Sequence, residues 1–565
     1  MPRPRRAKSF YLALGVLLLC IAPLERTGAA EGAAIAFADV NVLPMDREAV
    51  LPAQTVVVRD GVIVAMGPSA TLELAPGTTR IDSGGGAYLM PGLADMHVHL
   101  RRSGATWLPL FLAKGVTTVL NLDGRPNHLA WRQQVRDGTL TGPTIYSAGP
   151  QIGKHRALSP DEAERLVIEQ QDAGYDLIKV YSSSPGNWSR EAYERVMATA
   201  KARSIAVTGH APRNLPFEVV LEVGGQSIAH AEELLYTHFK KLDKTRIPAL
   251  AEKAAARGLW LITTFGTFES IAEQWGKPEA VKRTLGLVSA RYLHPDLVFM
   301  WRYENPYVGR KDAAEWIADA LDFHYLLVKG LHEAGVRLMA GTDTPIPVIM
   351  PGASMHREIA ILTEAGLSPY QALVAATRNP GDYMHEEAGK PERFGRVAPG
   401  YRADLLLLPG NPLEDLSVLE KPLGVMARGR WFDRAALDAM LETMAEDFAK
   451  PPETIESAAG MRLDGDELRS LLSGATLVGR DRRDTPYRVH LNADGRASTI
   501  TGPIGDWRRD GAWRIEDDEY CLRYQGRREL CLAGVRDGER IAWYLDVGGW
   551  FEERYIKFSE DRIER

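Results

Sequence analysis

The feature that most constrains the fold is a series of eight strand-like apolar segments between residues 88 and 343, separated by helical stretches. The segments are 89–99, 115–122, 144–148, 176–181, 205–210, 227–230, 260–265 and 336–343. Eight such β/α alternations over about 250 residues are what a (β/α)8 barrel requires. The sequence therefore predicts an α/β fold with a (β/α)8 TIM barrel over residues 88–389.

Shorter strand-like segments lie on both sides of this barrel. Because they flank it in sequence, residues 31–87 and 390–435 are expected to form one composite β-sandwich. A charged helix and a proline-containing linker follow over 436–462. Short strands separated by Asp-Gly turns then predict a separate all-β domain over 463–565. We expect this last domain to have a structural or ligand-binding accessory role.

The first thirty residues have the pattern of a secretory signal peptide. Basic residues within 3–8 precede an apolar run over 10–22, and small residues follow at 28–30. The run is shorter than the ~20 residues that span a bilayer. We therefore expect cleavage near Ala30 and a periplasmic or secreted protein. An uncleaved signal anchor is the alternative, and the only expected membrane contact.

Export changes the cysteine count. Cys20 leaves with the signal, so Cys521 and Cys531 remain as an even pair in a compartment where disulfides persist. The sequence favours a disulfide between them. The alternative is two reduced thiols buried as small apolar groups.

Composition and charge exclude two broad classes. With 45% hydrophobic and 25% charged residues, the chain is typical of globular proteins rather than disordered ones. The net charge of −6 becomes −10 once the five basic residues and one acidic residue of the signal are removed. An acidic chain without a long basic run is not expected to bind nucleic acid. The sequence leaves open whether the protein forms a homo-oligomer.

Histidines are concentrated in the predicted barrel, where 12 of the 13 lie between His97 and His385. His97 and His99 are two residues apart near the end of the first barrel strand, so both imidazoles lie on one face. The carboxyl ends of barrel strands form the catalytic mouth, where two inward histidines can bind one metal ion. Alone, the pair is weak evidence, because polar pairs are as common in structural strands.

Further polar side chains end the later strands. Lys179, His210, His230 and Asp343 each terminate an apolar run. Burying such groups without partners costs several kcal/mol apiece, and metal coordination removes that cost. Together with the first-strand histidines, these residues predict a metal centre.

The motifs around these residues resemble those of the amidohydrolase superfamily, in its imidazolonepropionase-like and prolidase-like branch. The matching segments are PGLADMHVH at 91–99, GVTTV at 115–119, AGTDTP at 340–345, HRE at 356–358 and APGYRADL at 398–405. The resemblance covers about residues 34–435. It implies a metal-dependent hydrolase with the barrel and flanking β unit predicted above.

The resemblance also implies two divalent metal ions, with zinc the expected metal. His97, His99 and Asp343 are the implied ligands of one ion, and His210 and His230 those of the other. Lys179, carboxylated to a carbamate, is the implied bridge. Asp343 is the implied catalytic residue, accepting a proton from the attacking water and passing it to the departing amine. If Lys179 is an ordinary lysine, the centre is mononuclear.

Three residues are candidate substrate contacts. Tyr181 lies two residues after Lys179, hence on the same face of the strand, although a barrel-filling aromatic is the alternative. His155 and His356 follow the third and eighth strands, in positions expected to line the mouth. The long segment 268–315, far longer than a usual βα loop, is expected to form a lid over the site. We refer to it as the lid segment.

The sequence therefore predicts an exported metal-dependent amidohydrolase that cleaves amide, peptide-like C–N bonds of small substrates. A dipeptidase or prolidase-like activity on dipeptide-like substrates is the first interpretation. One alternative is a cyclic amide or lactone hydrolase. The other is a binding protein whose barrel has lost catalysis.

Overall fold

The computed structural model describes most of the chain after the predicted signal. The described residues are 34–101, 103–154, 156–182, 187–303, 305–449, 458, 460–480, 486–501, 507–524, 530–546 and 555–564. The predicted signal peptide, His155 and most of the predicted linker after residue 449 lie outside them. Among the described helices, none combines the length and apolar character needed to cross a membrane.

The strands fall into four groups along the chain. The first is β1 Ile35–Val42, β2 Leu51–Arg59, β3 Val62–Pro68, β4 Thr79–Asp82 and β5 Tyr88–Pro91. The second is β6 Leu93–Val98, β7 Val116–Asn121, β8 Thr144–Ser147, β9 Leu177–Val180, β10 Ala206–Gly209, β11 Gln226–Ala229, β12 Trp260–Ile262 and β13 Arg337–Met339. The third is β14 Leu405–Leu408, β15 Gly424–Ala427 and β16 Arg430–Asp433. The fourth is β17 Met461–Arg462, β18 Thr476–Arg480, β19 Pro486–Leu491, β20 Arg496–Thr501, β21 Trp507–Glu516, β22 Glu519–Tyr524, β23 Leu530–Asp537, β24 Arg540–Asp546 and β25 Tyr555–Glu564.

Helices alternate with the second group of strands and continue beyond it. They are α1 Gly104–Ala113, α2 Pro126–Asp137, α3 Pro160–Asp172, α4 Arg190–Ala202, α5 Phe217–Val223, α6 Glu233–Thr237, α7 Ile247–Ala256, α8 Phe265–Gln274, α9 Pro278–Leu285, α10 Pro295–Tyr303, α11 Ala314–Glu333, α12 Ser354–Glu364, α13 Pro369–Ala376, α14 Arg378–Glu386, α15 Arg434–Phe448 and α16 Gly465–Leu472. Serine N-caps begin α3, α4 and α13, each accepting a backbone hydrogen bond from the first turn.

The second group of strands forms a TIM-barrel-like ring. Strands β6–β8 pair in parallel, as do β9–β13. Bridges from Ala148 to Leu177 and from Val98 to Thr344 connect the two sheets. Each of the eight predicted segments overlaps one of these strands. The ring therefore brings the carboxyl ends of all eight strands to one side.

The first predicted barrel segment is divided in the structure. Its beginning, β5, pairs with β14 of the flanking sheet, and the barrel strand β6 starts only at Leu93. The chain passes between the two sheets at Gly92, where a Cβ atom would lie 2.1 Å from the Thr117 hydroxyl. The predicted barrel boundary at residue 88 is therefore corrected to about residue 93.

The strands on both sides of the barrel meet in one flanking sheet. Its order is β16-β15-β14-β5-β1-β2-β3, with β4 beside β1. Strand β5 joins the two flanks, because it pairs with β1 on one side and with β14 on the other. The two flanks thus form one composite unit, as predicted, joined by a continuous hydrogen-bonded sheet; the sandwich arrangement of its layers stays a prediction.

The C-terminal unit closes on itself. Strands β18–β25 pair antiparallel in chain order, and β25 pairs back onto β18, so the ring has no free edge between its first and last strands. Its interior includes Trp513, Tyr520 and Trp543. Cys521 and Cys531 are directly opposite one another on β22 and β23 and form a disulfide, as the sequence favours.

We expect the disulfide to stabilise the C-terminal barrel. Its 10-residue sequence separation corresponds to about 2–3 kcal/mol of lost unfolded-state entropy. The double variant Cys521→Ala/Cys531→Ala should therefore show faster hydrogen exchange, measured peptide by peptide, over residues 463–565. Peptides of the TIM-barrel-like domain serve as the internal control. Identical exchange in variant and wild type over 463–565 would contradict this expectation.

Candidate metal centre

Four of the predicted ligand residues lie together where strands β6, β11 and β13 end. The Asp343 Oδ1 atom is 2.8 Å from His99 Nε2 and 3.3 Å from His97 Nε2. Asp343 Oδ2 lies 4.0 Å from His230 Nε2. One ligand atom from each of His97, His230 and Asp343 can be chosen such that all lie within 4.8 Å of one another. These buried imidazole and carboxylate groups can therefore bind a common metal ion.

The remaining two predicted ligands border this group. The His210 ring lies 4.9 Å from the His230 ring, measured between centroids. The Lys179 amine is fully buried, with Nζ 3.5 Å from His97 Nε2. Burial lowers the pKa of Lys179 to about 8, although the Asp343 and Glu233 carboxylates oppose this shift. The structure thus brings all six predicted ligand residues to one place.

The imidazoles favour the neutral form that metal binding requires. Burial lowers the pKa of His97, His210 and His230 well below the usual histidine range. The neighbouring Lys179 lowers it further for His97 and His210. Neutral rings leave a nitrogen lone pair available for a cation.

Asp95 connects strand β6, which carries His97, to the loop that carries Asp343. Its carboxylate accepts hydrogen bonds from the Thr342 backbone N–H at 2.9 Å, the Thr342 hydroxyl at 2.6 Å and the His97 backbone N–H at 3.2 Å. Burial raises the pKa of Asp95 to about 7 despite these bonds. This role of Asp95 was not predicted from the sequence, although the residue lies within the first-strand motif.

The Nδ1 atoms of His210 and His230 each have a polar partner. His210 Nδ1 lies 2.9 Å from the Ser182 carbonyl oxygen, and His230 Nδ1 lies 2.9 Å from the Thr264 hydroxyl. Hydrogen bonds of this kind set the tautomer and orientation of metal-binding imidazoles. The Nε2 atoms are then directed toward the centre.

The backbone is strained where ligands emerge. His230, Thr264 and Asp343 have φ angles of 75°, 45° and 54°, a region that residues with a Cβ rarely occupy. Such strain persists where the surrounding structure imposes it, and it is concentrated at functional sites. Here it turns two ligands and the Thr264 hydroxyl toward one another.

The donor set fits a metal ion. Asp343 Oδ1 is buried and has no hydrogen-bond partner among the described residues, although it lies beside two imidazole nitrogens. Clustered neutral imidazoles around a carboxylate are typical ligands of zinc and similar divalent ions. A cation at this position would bind the Asp343 carboxylate and the imidazole nitrogens, which otherwise face one another.

Tyr181 lies beside the ligand cluster, where the sequence placed a substrate contact. Its ring centroid is 4.6 Å from that of His210. Lys154 Nζ lies 5.5 Å from the Tyr181 ring centroid and 3.6 Å from an Asp123 carboxylate oxygen. Lys154 was not predicted from the sequence, in which its neighbour His155 is the candidate substrate contact.

The lid segment contributes Tyr307 near the same cluster. Burial raises the pKa of Tyr307, and nearby Asp343, Tyr236 and Glu232 raise it further. No periodic or motif signal in the sequence distinguishes Tyr307 from the other aromatic residues of this segment. Its location depends on how the helices α8–α11 pack.

The structure contradicts the substrate-contact prediction for His356. This residue lies in α12, and its Nε2 bonds to the carbonyl oxygen of Lys114, just after α1, at 2.9 Å. The imidazole is therefore held in the helical layer, away from the ligand cluster. The error arose because the chain travels from β13 to the outer helices before it reaches residue 356. His155 lies outside the described residues, so its role stays a prediction.

The sequence profile of the Amidohydrolase family matches residues 88–432, which is more than half of the chain. The chain belongs to the amidohydrolase family. Family membership is consistent with the strand-end histidines and with a TIM-barrel-like domain beside a β unit. The matched range ends before the C-terminal barrel.

Several proteins are similar to this amidohydrolase at low identity. Ochratoxinase of Aspergillus niger is 23% identical over 458 residues, covering 68% of this chain and 83% of that protein. A putative prolidase from Bifidobacterium longum is 24% identical, with a TM-score of 0.54 and coverage of 73% of this chain and 99% of that one. A Xaa-Pro dipeptidase solved with bound methionine is 19% identical, with a TM-score of 0.55 and coverage of 71% and 100%.

The family and these relatives support one coarse conclusion about activity. The protein is a hydrolase that acts on C–N bonds. The family is generally metal-dependent, and the buried histidine and aspartate group fits a metal site.

We expect the Thr264 hydroxyl to support metal binding through His230. The variant Thr264→Val keeps the side-chain shape but removes the partner of His230 Nδ1, so metal affinity should fall by about 10–100-fold. Competition with a fluorescent chelator measures this affinity. Thr264→Ser, which keeps the hydroxyl, is the matched control and should bind metal nearly as wild type does. Equal affinity in the valine variant would argue against this role.

Proposed function

We propose that the protein is an exported amidohydrolase with two divalent metal ions that hydrolyses amide bonds of dipeptide-like substrates. The observation that carries the proposal is the cluster of four histidines, Lys179 and Asp343 at the carboxyl ends of the barrel strands, all of them buried except His99. Zinc is the metal we propose, because imidazole and carboxylate donors suit it.

The proposed ligand sets follow the positions of the side chains. His97, His99 and Asp343 would hold one ion, and His210 and His230 the other. Lys179 is proposed to be carboxylated and to bridge the ions. Its support is geometric, since the amine is fully buried and lies 3.5 Å from His97 Nε2. A desolvated lysine loses its proton readily, and the neutral amine is the form that reacts with carbon dioxide.

When bound, divalent ions polarise a carbonyl group and lower the pKa of a water molecule. Asp343 is positioned beside His97 and His99, and it accepts the proton of the attacking water on a carboxylate oxygen. The same carboxyl group then donates this proton to the departing amine nitrogen. Tyr181, beside His210, offers a hydroxyl group to the substrate.

Two considerations favour a small, peptide-like substrate. Solved structures with the same fold include a putative prolidase and a Xaa-Pro dipeptidase. Tyr181 lies beside the ligand cluster and Lys154 lies beside Tyr181, so aromatic and cationic groups border the mouth. Such groups suit a polar amide with an anionic end.

Export is proposed from the N-terminal sequence and the disulfide. The first thirty residues have the basic, apolar and small-residue order of a secretory signal. The Cys521–Cys531 bond is of the kind that persists in oxidising compartments. A periplasmic or secreted location follows from the two together.

The activity is tested with zinc-loaded protein and a panel of dipeptides, N-acyl amino acids, cyclic amides and lactones. We expect release of amino acids from linear amides. Asp343→Asn should lower kcat by about 100-fold or more, because the proton acceptor and a metal ligand are both weakened. The exposed Asp319→Asn is the matched control and should retain activity. Hydrolysis confined to cyclic substrates, or to none of them, would refute the proposal.

The carbamate is tested by loading the protein with zinc and ¹³C-bicarbonate. We expect one carbamate carbon resonance, because a single buried lysine lies at the centre. Lys179→Met should lose the resonance and bind fewer zinc ions per chain by elemental analysis. Two zinc ions in a wild-type protein that lacks the resonance would contradict a bridging carbamate.

A further inference from the structure

Two consecutive glutamates follow the metal-ligand candidate His230, and each lies near the outer nitrogen of a different histidine. Glu232 Oε1 is 3.4 Å from His230 Nδ1, and Glu233 Oε1 is 3.5 Å from His210 Nδ1. Their side chains are 9% and 1% exposed, respectively. The two carboxyl groups thus have similar positions and similar burial.

They differ in their cationic partners. The Arg213 guanidinium binds Glu233 through Nε at 3.2 Å and Nη2 at 2.5 Å, and it stacks on the Tyr236 ring at 4.2 Å. Glu232 forms no ion pair with a lysine or arginine in the part of the chain that the structure describes. Its Oε2 atom is buried and has no hydrogen-bond partner there.

A buried carboxylate without a cation is unfavourable. Removing such a group from water costs several kcal/mol unless another charge or hydrogen bond replaces the water. Glu233 obtains its cation from the chain itself. Glu232 has no such cation among the described residues, so a cation brought by a ligand would compensate its burial.

Glu232 also borders the substrate mouth. It lies between the carboxyl end of β11 and the first residue of α6, in a βα turn of the kind that lines the mouth of a barrel. Its Oε1 atom is 3.4 Å from the His230 imidazole. Glu232 therefore lies at the mouth, one imidazole away from the proposed metal position.

We propose that Glu232 binds the positively charged α-amino group of the substrate. The enzyme then prefers peptides with a free amino terminus to the same peptides with an acylated terminus. This inference rests on the proposed function, since it specifies which amides that site accepts.

The short distance between Glu232 and His230 favours an α-amino group over the end of a long side chain. In an aminoacyl group the nitrogen is two bonds from the carbonyl carbon under attack. A carboxylate beside the metal-ligand candidate His230 can therefore reach an amino group that is only two bonds from this carbonyl carbon. The ammonium group of a lysine side chain lies several bonds farther away.

The kinetic test compares leucyl-phenylalanine with N-acetyl-leucyl-phenylalanine on zinc-loaded enzyme. Wild type should prefer the free amine by about 10-fold or more in kcat/KM, the value typical of a lost charged hydrogen bond. Glu232→Gln should lose most of this preference, because its kcat/KM should fall for the free-amine substrate alone. Its zinc content should stay unchanged. Glu232→Asp keeps the charge and should retain part of the preference. Exposed Glu222→Gln is the matched control.

A binding test separates this inference from the proposed function, because it needs no turnover. Calorimetry compares L-leucine with 4-methylpentanoate, which has the same carbon skeleton and carboxylate but no amine. Wild type should bind leucine about 10-fold more tightly, and Glu232→Gln should bind the two alike. This preference is measurable even if the enzyme hydrolyses no amide, an outcome that would refute only the proposed function.

Three outcomes would overturn the inference. The first is equal or tighter binding of 4-methylpentanoate by wild type. The second is a Glu232→Gln variant that loses activity equally on free and acetylated peptides. The third is a loss of zinc in that variant, which would make Glu232 a positioning residue for His230 instead.

Discussion

Six polar side chains, five of them buried, lie together at one end of the barrel, and the rest of the structure depends on keeping them there. Four imidazoles, a lysine amine and a carboxylate approach one another with few other partners, an arrangement that is costly without a cation. Asp95 holds two of the contributing segments together through Thr342 and the His97 backbone. The strained backbone at His230 and Asp343 is the consequence of directing both side chains inward.

The order of the barrel strands could be predicted, because the sequence pattern of each strand involves only neighbouring residues. Each barrel strand is a short apolar run, so its position follows from neighbouring residues alone, and all eight predicted segments overlap a strand. Closure was not predictable in this way. The antiparallel C-terminal ring depends on pairing between β18 and β25, which are far apart in sequence. The division of the first segment at Gly92 likewise depends on contact with a separate sheet.

In the candidate site, too, residues were predictable from local patterns but not from long-range contacts. His97 and His99 were predictable because a two-residue period places both on one strand face. The supporting groups were not, since Asp95 meets Thr342 and His230 meets Thr264 only after the barrel closes. His356 was wrongly assigned, because its motif gives no information about whether the side chain faces the mouth or the helical layer. Glu232 could be recognised only by comparison with its paired neighbour Glu233.

We propose that the strand ends hold two metal ions, one on each side of Lys179. X-ray diffraction from zinc-loaded crystals, recorded on both sides of the zinc absorption edge, measures this most directly. The account predicts two anomalous peaks, one beside His97, His99 and Asp343 and one beside His210 and His230, with extra density joined to Lys179 Nζ. A single peak with an unmodified Lys179, or no peak among these residues, would contradict it.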